Sequence, residues 1–200
     1  MKFYLRDINP DMVTAWKRYF DNIEDVEVSE GDIFEGPMAD AIISPANSFG
    51  FMDGGIDLVY SDHFGWQLQE RLQIELAAHH DGELPVGEAV IIPTNKADDI
   101  KFLISAPTMR VPMNVDKTVN AYLAFRASIR AIRDWNATHA EKPEFQIDSV
   151  TCPGLGTAVG KMSYDACAKQ MFFAYCTCWL KYPQKISHLG DAFSLHHALI

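Results

Sequence analysis

Two stretches of this chain place glycines and small residues where backbone amides can meet a ligand. The first runs Ser44-Pro-Ala-Asn-Ser-Phe-Gly-Phe-Met-Asp-Gly-Gly-Ile-Asp57, and the second Cys152-Pro-Gly-Leu-Gly-Thr-Ala-Val-Gly160. Glycine admits φ > 0 and leaves no Cβ between a backbone N–H and its partner. Successive exposed amides ahead of a helix N-terminus hold an anion without any formal positive charge. Neither stretch is a Walker A loop, which ends in Gly-Lys-Ser/Thr, and neither is a Gly-x-Gly-x-x-Gly dinucleotide fingerprint. Together they predict an anion-binding cleft. Other polar clusters read more plainly. His79-His80-Asp81 and His196-His197 point neighbouring side chains in different directions, which suits solvated or capping roles better than a metal. Cys176-Thr-Cys178 lacks a second pair at finger-like spacing. Arg126, Arg130 and Arg133 make a basic strip at helical spacing and read as a solvated face. Lys161, just after the second loop, reads as a surface lysine or as a side chain that reaches a phosphate.

Both loops must be presented by flanking elements. Residues 2–6 alternate as a first strand, and Asn9-Pro10-Asp11 then opens a helix with Met12, Ala15, Trp16, Tyr19 and Phe20 on one face. Strands are predicted at 26–29 and 39–44, the latter stopped by Pro45, and the chain stays loop-like to Asp57. A helix is predicted over 65–80, with Leu68, Leu72, Leu76 and Ala77 at helical spacing. Further strands are predicted at 87–93, 101–106 and 146–152. Helices are predicted at 116–139, with Val119, Leu123, Ile129 and Ile132 inward, and at 163–180. Residues 185–200 receive no assignment. Each glycine loop follows an apolar strand and leads towards a helix, where open α/β sheets place their ligands. Alternating strands and helices predict a three-layer α/β/α sandwich with a mixed, largely parallel central sheet.

Two hundred residues make one ordinary domain, and 48% hydrophobic content excludes a disordered chain. Lys and Arg number 17 against 27 Asp and Glu, a net charge of −10. Residues 1–100 carry 6 basic and 20 acidic side chains, whereas 101–200 carry 11 and 7. That balance disfavours duplex nucleic acid, because phosphate contacts need clustered Lys and Arg. An anion in the first half must be held by something other than side-chain cations. The N-terminal MKFYLRDINPDM does not read as a signal peptide, and no run is long and apolar enough to span a membrane. The four cysteines, Cys152, Cys167, Cys176 and Cys178, read as reduced thiols in a cytoplasmic protein.

The wording of five segments, in order, resembles the macro domain family. They are Gly31-Asp32-Ile33, Ala39 to Asn47, Gly54-Gly55-Ile56-Asp57, Leu84-Pro85-Val86-Gly87-Glu88-Ala89, and Pro153 to Gly160. Asn47 and Asp57 stand ten positions apart, the family's usual separation. The resemblance spans about residues 25–180, and the first loop is similar to that of a bacterial and phage, tail-type branch. It implies a single macro-like domain over 1–184, followed by a tail of unassigned structure at 185–200.

The resemblance further implies binding of ADP-ribose or an ADP-ribosylated molecule, with neither metal nor cofactor. Asp32 would accept from the adenine amino group beside the Ile33 amide, as an acceptor-only carboxylate can. Gly54, Gly55 and Ile56 would lie along the diphosphate and distal ribose. Gly156, Thr157, Ala158, Val159 and Gly160 would wrap the diphosphate, and Asn47 would approach the distal ribose. In hydrolytic members the acid at the position of Asp57 activates or orients water. The residues alone allow plainer roles: Asp32 capping a turn, Asn47 in an Asx-turn, Asp57 as a helix N-cap, and Phe49 and Phe51 as core anchors rather than ring-stacking partners. Thr157 suits loop stability as well as phosphate contact.

The chain departs from the family pattern in three places. Met52-Asp53 precede only two glycines, Leu58-Val59-Tyr60-Ser61 replace the usual segment after the acid, and the second loop lacks its aromatic, leaving Met162 or Tyr164 nearby. Asp53 adds repulsive charge near a diphosphate. Three functions follow in order: an ADP-ribose binder, an ADP-ribosyl hydrolase or deacetylase using Asn47 and Asp57, and a degenerate macro fold with a structural or phage-assembly role.

Overall fold

The centre of the molecule is built from strands too apolar to face water. In the computed structural model, which describes residues 1–96 and 98–200, β1 is Lys2–Asp7, β2 Val26–Glu30, β3 Ala41–Ser44, β4 Val90–Pro93, β5 Phe102–Ser105 and β6 Ser149–Cys152. All four residues of β3 and all four of β5 are buried. A parallel strand covered on both faces shows that continuous pattern. The strand order is β2-β1-β6-β3-β5-β4, parallel throughout except for β4, which pairs antiparallel with β5 at one edge. Pro93 ends that edge strand, where a missing N–H is tolerated.

Among the described residues the helices are α1 (Pro10–Phe20), α2 (Gly55–Phe64), α3 (Gln67–His79), α4 (Asn120–Thr138), α5 (Tyr164–Ala174) and α6 (Leu189–Leu199). Side-chain alternation along the strands assigns them to layers. Ala41, Ile43, Phe102, Ile104, Phe3, Leu5 and Val150 share one core with Met12, Trp16 and Phe20 of α1, Phe125 and Ile129 of α4, and Met171 of α5. Ile42, Leu103, Val90 and Ile92 share the other with Tyr60 and Phe64 of α2 and Leu68, Leu72 and Leu76 of α3. This is the expected α/β/α sandwich.

The structure alters several expected elements for identifiable reasons. Helix α2 occupies 55–64, where the sequence reads as loop and then as unassigned chain. Gly65, at φ +94, separates α2 from α3 and donates its N–H to Ser61 O, as a C-terminal glycine does. Asp57 therefore lies inside a first turn and is not an N-cap; Gly54 holds that position. Helix α4 begins at Asn120 rather than 116, because Asn114 Oδ1 accepts from Asp116 N in a local turn. Its core face is Ala121, Ala124, Phe125, Ile129 and Ile132, while Val119 and Leu123 are half-buried. Tyr19 is half-buried too, with its hydroxyl donating to Asp165 at 3.2 Å. Ala77 is exposed. The helix expected to reach 180 widens after Ala174 into a π-type turn at Tyr175–Trp179. The C-terminal segment contains α6, whose Leu199 is buried and whose Leu199 carbonyl accepts from Gln170 Nε2 at 2.9 Å.

Candidate functional site

Because β1, β2, β3, β5 and β6 run parallel, their carboxyl ends emerge along one edge of the sheet. The chain leaving them walls a cleft of about 580 Å³. Asp32 and Ile33 come from the segment after β2, and Asn47, Gly54, Gly55, Ile56 and Asp57 from the loop after β3. Gly156, Thr157, Ala158, Val159 and Gly160 come from the loop after β6. Every ligand-contacting position expected from the sequence lies on this one surface. Arg6 and Asp7 at the end of β1 and Asn9 just beyond it, with Thr108, Met109 and Pro112 after β5, line it as well and were not anticipated. The rule that found the glycine loops applies equally to β1 and β5; both lack glycine there, so their composition carried no signal.

The first loop is organised from within. Asn47 Oδ1 accepts from Phe49 N at 3.1 Å and Phe51 N at 3.3 Å, and its Nδ2 donates to Phe51 O at 2.7 Å. The amide thus does the Asx-turn work, and it lines the cleft at the same time. Gly50, at φ +67, packs so tightly that a Cβ would stand 3.0 Å from Leu72. Met52 is buried, its N–H held by Gln69 Oε1 and its carbonyl by Ser61 Oγ. Anchoring Met52 inward turns Asp53, Gly54 and Gly55 outward, and all three are exposed. Helix α2 starts there with no side-chain cap, so the first-turn amides of Gly55, Ile56 and Asp57 have no intrahelical partner. Phe51 lines the cleft and is 53% exposed, whereas Phe49 lies under Arg110, 5.1 Å from ring to guanidinium, and Arg110 forks onto Glu83.

Asp57 is buried at the floor of this turn, and Ser44 Oγ donates to its Oδ1 at 2.5 Å. Burial pushes its carboxyl up to about 7, against the opposing pull of the Ser44 hydrogen bond. It is a proton-exchanging group near neutrality, not a fixed charge.

The second loop closes on itself. Gly154 N donates to Asp7 Oδ2 at 3.0 Å, tying the loop to the end of β1. Leu155 is buried and its N–H meets Cys167 Sγ. Gly156, at φ +72, accepts from Met162 N at its carbonyl, and Gly160 O accepts from Val115 N at 2.8 Å. A Cβ on Gly160 would sit 2.5 Å from Gly156 O and 2.6 Å from Val115 Cγ2, so only glycine closes this ring. Ser163 caps α5 by accepting from Ala166 N. Tyr164 lines the cleft and accepts from Asn9 Nδ2 at 2.7 Å, whereas Met162 is buried. Lys161, at φ +58, is exposed and not among the cleft-lining residues.

Asp32 Oδ1 accepts from Phe34 N at 2.9 Å, the turn-capping role, and its side chain remains exposed on the cleft wall. Asp7 accepts from Asn9 N and Gly154 N. Of the four lining carboxylates, Asp53 alone has no hydrogen bond among the described residues. The other flagged groups stand elsewhere. Cys152 and Cys167 are buried free thiols, with burial pushing Cys167 up to about 12, and Cys176 and Cys178 are half-buried. Arg130 and Arg133 are exposed and Arg126 is half-buried on α4. No helix among the described residues is long and apolar enough to cross a membrane.

Known proteins with this pattern are found at both levels. A family model for the macro domain matches residues 43–171. An uncharacterized protein of Aquifex aeolicus is 35% identical over 147 residues, covering 74% of this chain and 78% of the relative. One from Aeropyrum pernix is 31% identical over 159 residues, covering 80% and 75%. Among solved structures, the macrodomain of Mycobacterium tuberculosis DarG superposes with a TM-score of 0.60 at 22% identity, covering 74% of this chain and 87% of that one. A glycine-to-valine mutant of the Oceanobacillus iheyensis macrodomain, solved with ADPR, gives 0.56 at 19%, covering 78% and 76%. Thermosipho africanus DarTG in complex with ADP-ribose gives 0.53 at 17%, covering 76% of this chain and 37% of that one. With both glycine loops falling inside the matched span, the chain belongs to the macro domain family.

Proposed function

We propose that this protein binds ADP-ribose, free or attached to another molecule, in the cleft between its two glycine loops. One observation carries the proposal: uncapped amides at Gly55, Ile56 and Asp57 and the glycine ring at 156–160 wall the same cavity of about 580 Å³, which Asp32 also lines. The amide sets are a phosphate cradle that needs no lysine. Asp32 offers an acceptor for the adenine amino group, next to the Ile33 amide. Asn47, Gly54, Gly55 and Ile56 take the distal ribose and diphosphate, and Gly156, Thr157, Ala158, Val159 and Gly160 the diphosphate. No metal enters this scheme. The acidic first half and the reduced cysteines fit a cytoplasmic protein that does not grip duplex nucleic acid.

A second reading rests on Asp57. A carboxyl near 7 on the cleft wall can exchange a proton at physiological pH, which suits an ADP-ribosyl hydrolase or deacetylase. Asn47, whose amide already holds three loop contacts, then acts by shaping the loop around the distal ribose.

Titration calorimetry and thermal melting with ADP-ribose, ADP, AMP and NAD test the binding proposal. ADP-ribose is expected to bind tightest and to raise the melting temperature most. No heat and no shift at millimolar ligand would sink it. Release of ADP-ribose from a modified protein, or of acetate from O-acetyl-ADP-ribose, tests the second reading. Full activity in Asp57→Ala would reduce Asp57 to a structural group.

A further inference from the structure

Among the described cleft-lining residues Arg6 is the only lysine or arginine, and its place at the end of β1 invites the role of a phosphate ligand. Its contacts say otherwise. Arg6 Nε donates to Asp32 O at 2.6 Å, and Nη1 donates to Ser29 Oγ at 2.9 Å. The guanidinium runs through a slot that two glycines leave open. A Cβ on Gly31 would stand 2.3 Å from Nη2, and one on Gly36 would stand 2.8 Å from Cδ and 3.2 Å from Nε. Gly31 is also at φ +135, a conformation that other residues rarely adopt. Two glycines, a serine hydroxyl and a backbone carbonyl are thus arranged around one side chain.

We infer that Arg6 is a positioning residue for base selection: it clamps the 29–36 turn so that the Asp32 carboxylate faces the base. This rests on the proposal that the cleft takes ADP-ribose with Asp32 at the adenine. The mechanism is mechanical. Arg6 fixes the Asp32 carbonyl, Phe34 N fixes Asp32 Oδ1, and the second carboxylate oxygen is left to the ligand. A planar fork is required, because Nε and Nη1 reach two separate acceptors, the Asp32 carbonyl in the turn and the Ser29 hydroxyl in β2 before it. Lysine keeps the charge but supplies a single point donor.

The discriminating measurement is a ratio of affinities. ADP-ribose carries a 6-amino donor, whereas its hypoxanthine counterpart carries a carbonyl that repels an acceptor. Calorimetry on the full chain is expected to show wild type preferring ADP-ribose by about tenfold or more, the range for losing one charged hydrogen bond. In Arg6→Lys the preference is expected to fall below about threefold. Gly36→Ala, which crowds the Arg6 stem and leaves its charge in place, is expected to reduce the preference in the same direction. A folded Arg6→Lys that keeps the wild-type preference overturns the inference. So does an equal loss for both ligands, which marks Arg6 as a phosphate contact or as a general support. If wild type binds neither ligand, the proposed function fails and the inference falls with it; if wild type binds both equally, ADP-ribose binding stands while the Asp32–adenine contact and the inference fall.

Discussion

Replacing Asp57 by Asn should change how stability depends on pH more than it changes stability itself. Asp57 is buried, and in the folded protein its carboxyl titrates at about 7 instead of 3.8. Two forces oppose that rise. The Ser44 hydrogen bond favours the ionised form, and so does its place in the first turn of α2, where a carboxylate gains about 0.3–1 kcal/mol. Taking the charge out of water costs several kcal/mol, so desolvation wins. The sign follows from linkage. An acid that holds its proton more tightly when folded stabilises fully below 3.8, and that stability is lost as pH rises towards 7. The whole effect is about 4 kcal/mol, and roughly 2–3 kcal/mol of it falls between pH 5 and pH 8. Asn is nearly isosteric, keeps an acceptor for Ser44 Oγ and cannot ionise. The advantage of Asp57→Asn over wild type should therefore grow by roughly 2–3 kcal/mol from pH 5 to 8, or about 5–10 °C in Tm. Melting curves of both proteins at four pH values measure it. A difference that stays flat within about 0.5 kcal/mol, or that shrinks as pH rises, would show that the carboxyl is ionised and comfortable in the fold, and that burial does not dominate.

The two glycine loops should differ in their tolerance of a methyl group. Gly160→Ala must push apart Gly156 O and Val115, so ADP-ribose affinity should drop at least about tenfold, whereas Gly54→Ala meets nothing within 4 Å and should leave binding within about threefold. Equal effects in calorimetry would mean that loop closure does not shape the ligand site. Asp53→Asn should improve ADP-ribose affinity by about two- to fivefold at low salt, with the gain fading as the Debye length shortens. Wild-type affinity itself should hold or rise slightly with salt. A tenfold fall between 50 and 500 mM would mean that a cation, Arg6 included, holds the phosphates.

Local chemistry made most of the fold legible. The runs Ala-Ile-Ile-Ser and Phe-Leu-Ile-Ser can sit only in the middle of a covered sheet, and Asn9-Pro10 announces the start of α1. The two loops were readable because Gly55, Gly156 and Gly160 carry positive φ or a contact too close for a Cβ, constraints that leave a mark on composition. Helix α2 was hidden because Gly54-Gly55 looks like open loop, and its short length and weak amphipathicity offered no periodic signal before Gly65. Arg6 was hidden for a different reason. A lone arginine in an alternating strand looks like a solvated edge, and its partners lie more than twenty residues away. Asp57 was visible as a residue but not as a state, since its titration depends on the depth at which Ser44 and the α2 turn bury it.

The uneven charge of the chain takes on a structural meaning at the cleft. Four carboxylates line a cavity proposed to hold a diphosphate, an arrangement that looks repulsive when counted as charges. Their geometry removes most of that repulsion. Asp7 accepts from two backbone amides, Asp32 accepts from the Phe34 amide of its own turn, and burial pushes the Asp57 carboxyl up to about 7, so that it is not a full charge at neutral pH. Only Asp53 projects without a partner among the described residues. Arg6, the one Lys or Arg lining the cleft among the described residues, faces backbone and hydroxyl acceptors. What remains for the anion is the row of uncapped amides on α2 and the ring closed by Gly160. A site of that kind selects by shape, because amides fixed in a loop favour a particular phosphate geometry, whereas mobile lysines accept many. On the proposed function, the acidity of the first half works against loosely held polyanions and favours a ligand that reaches into both loops.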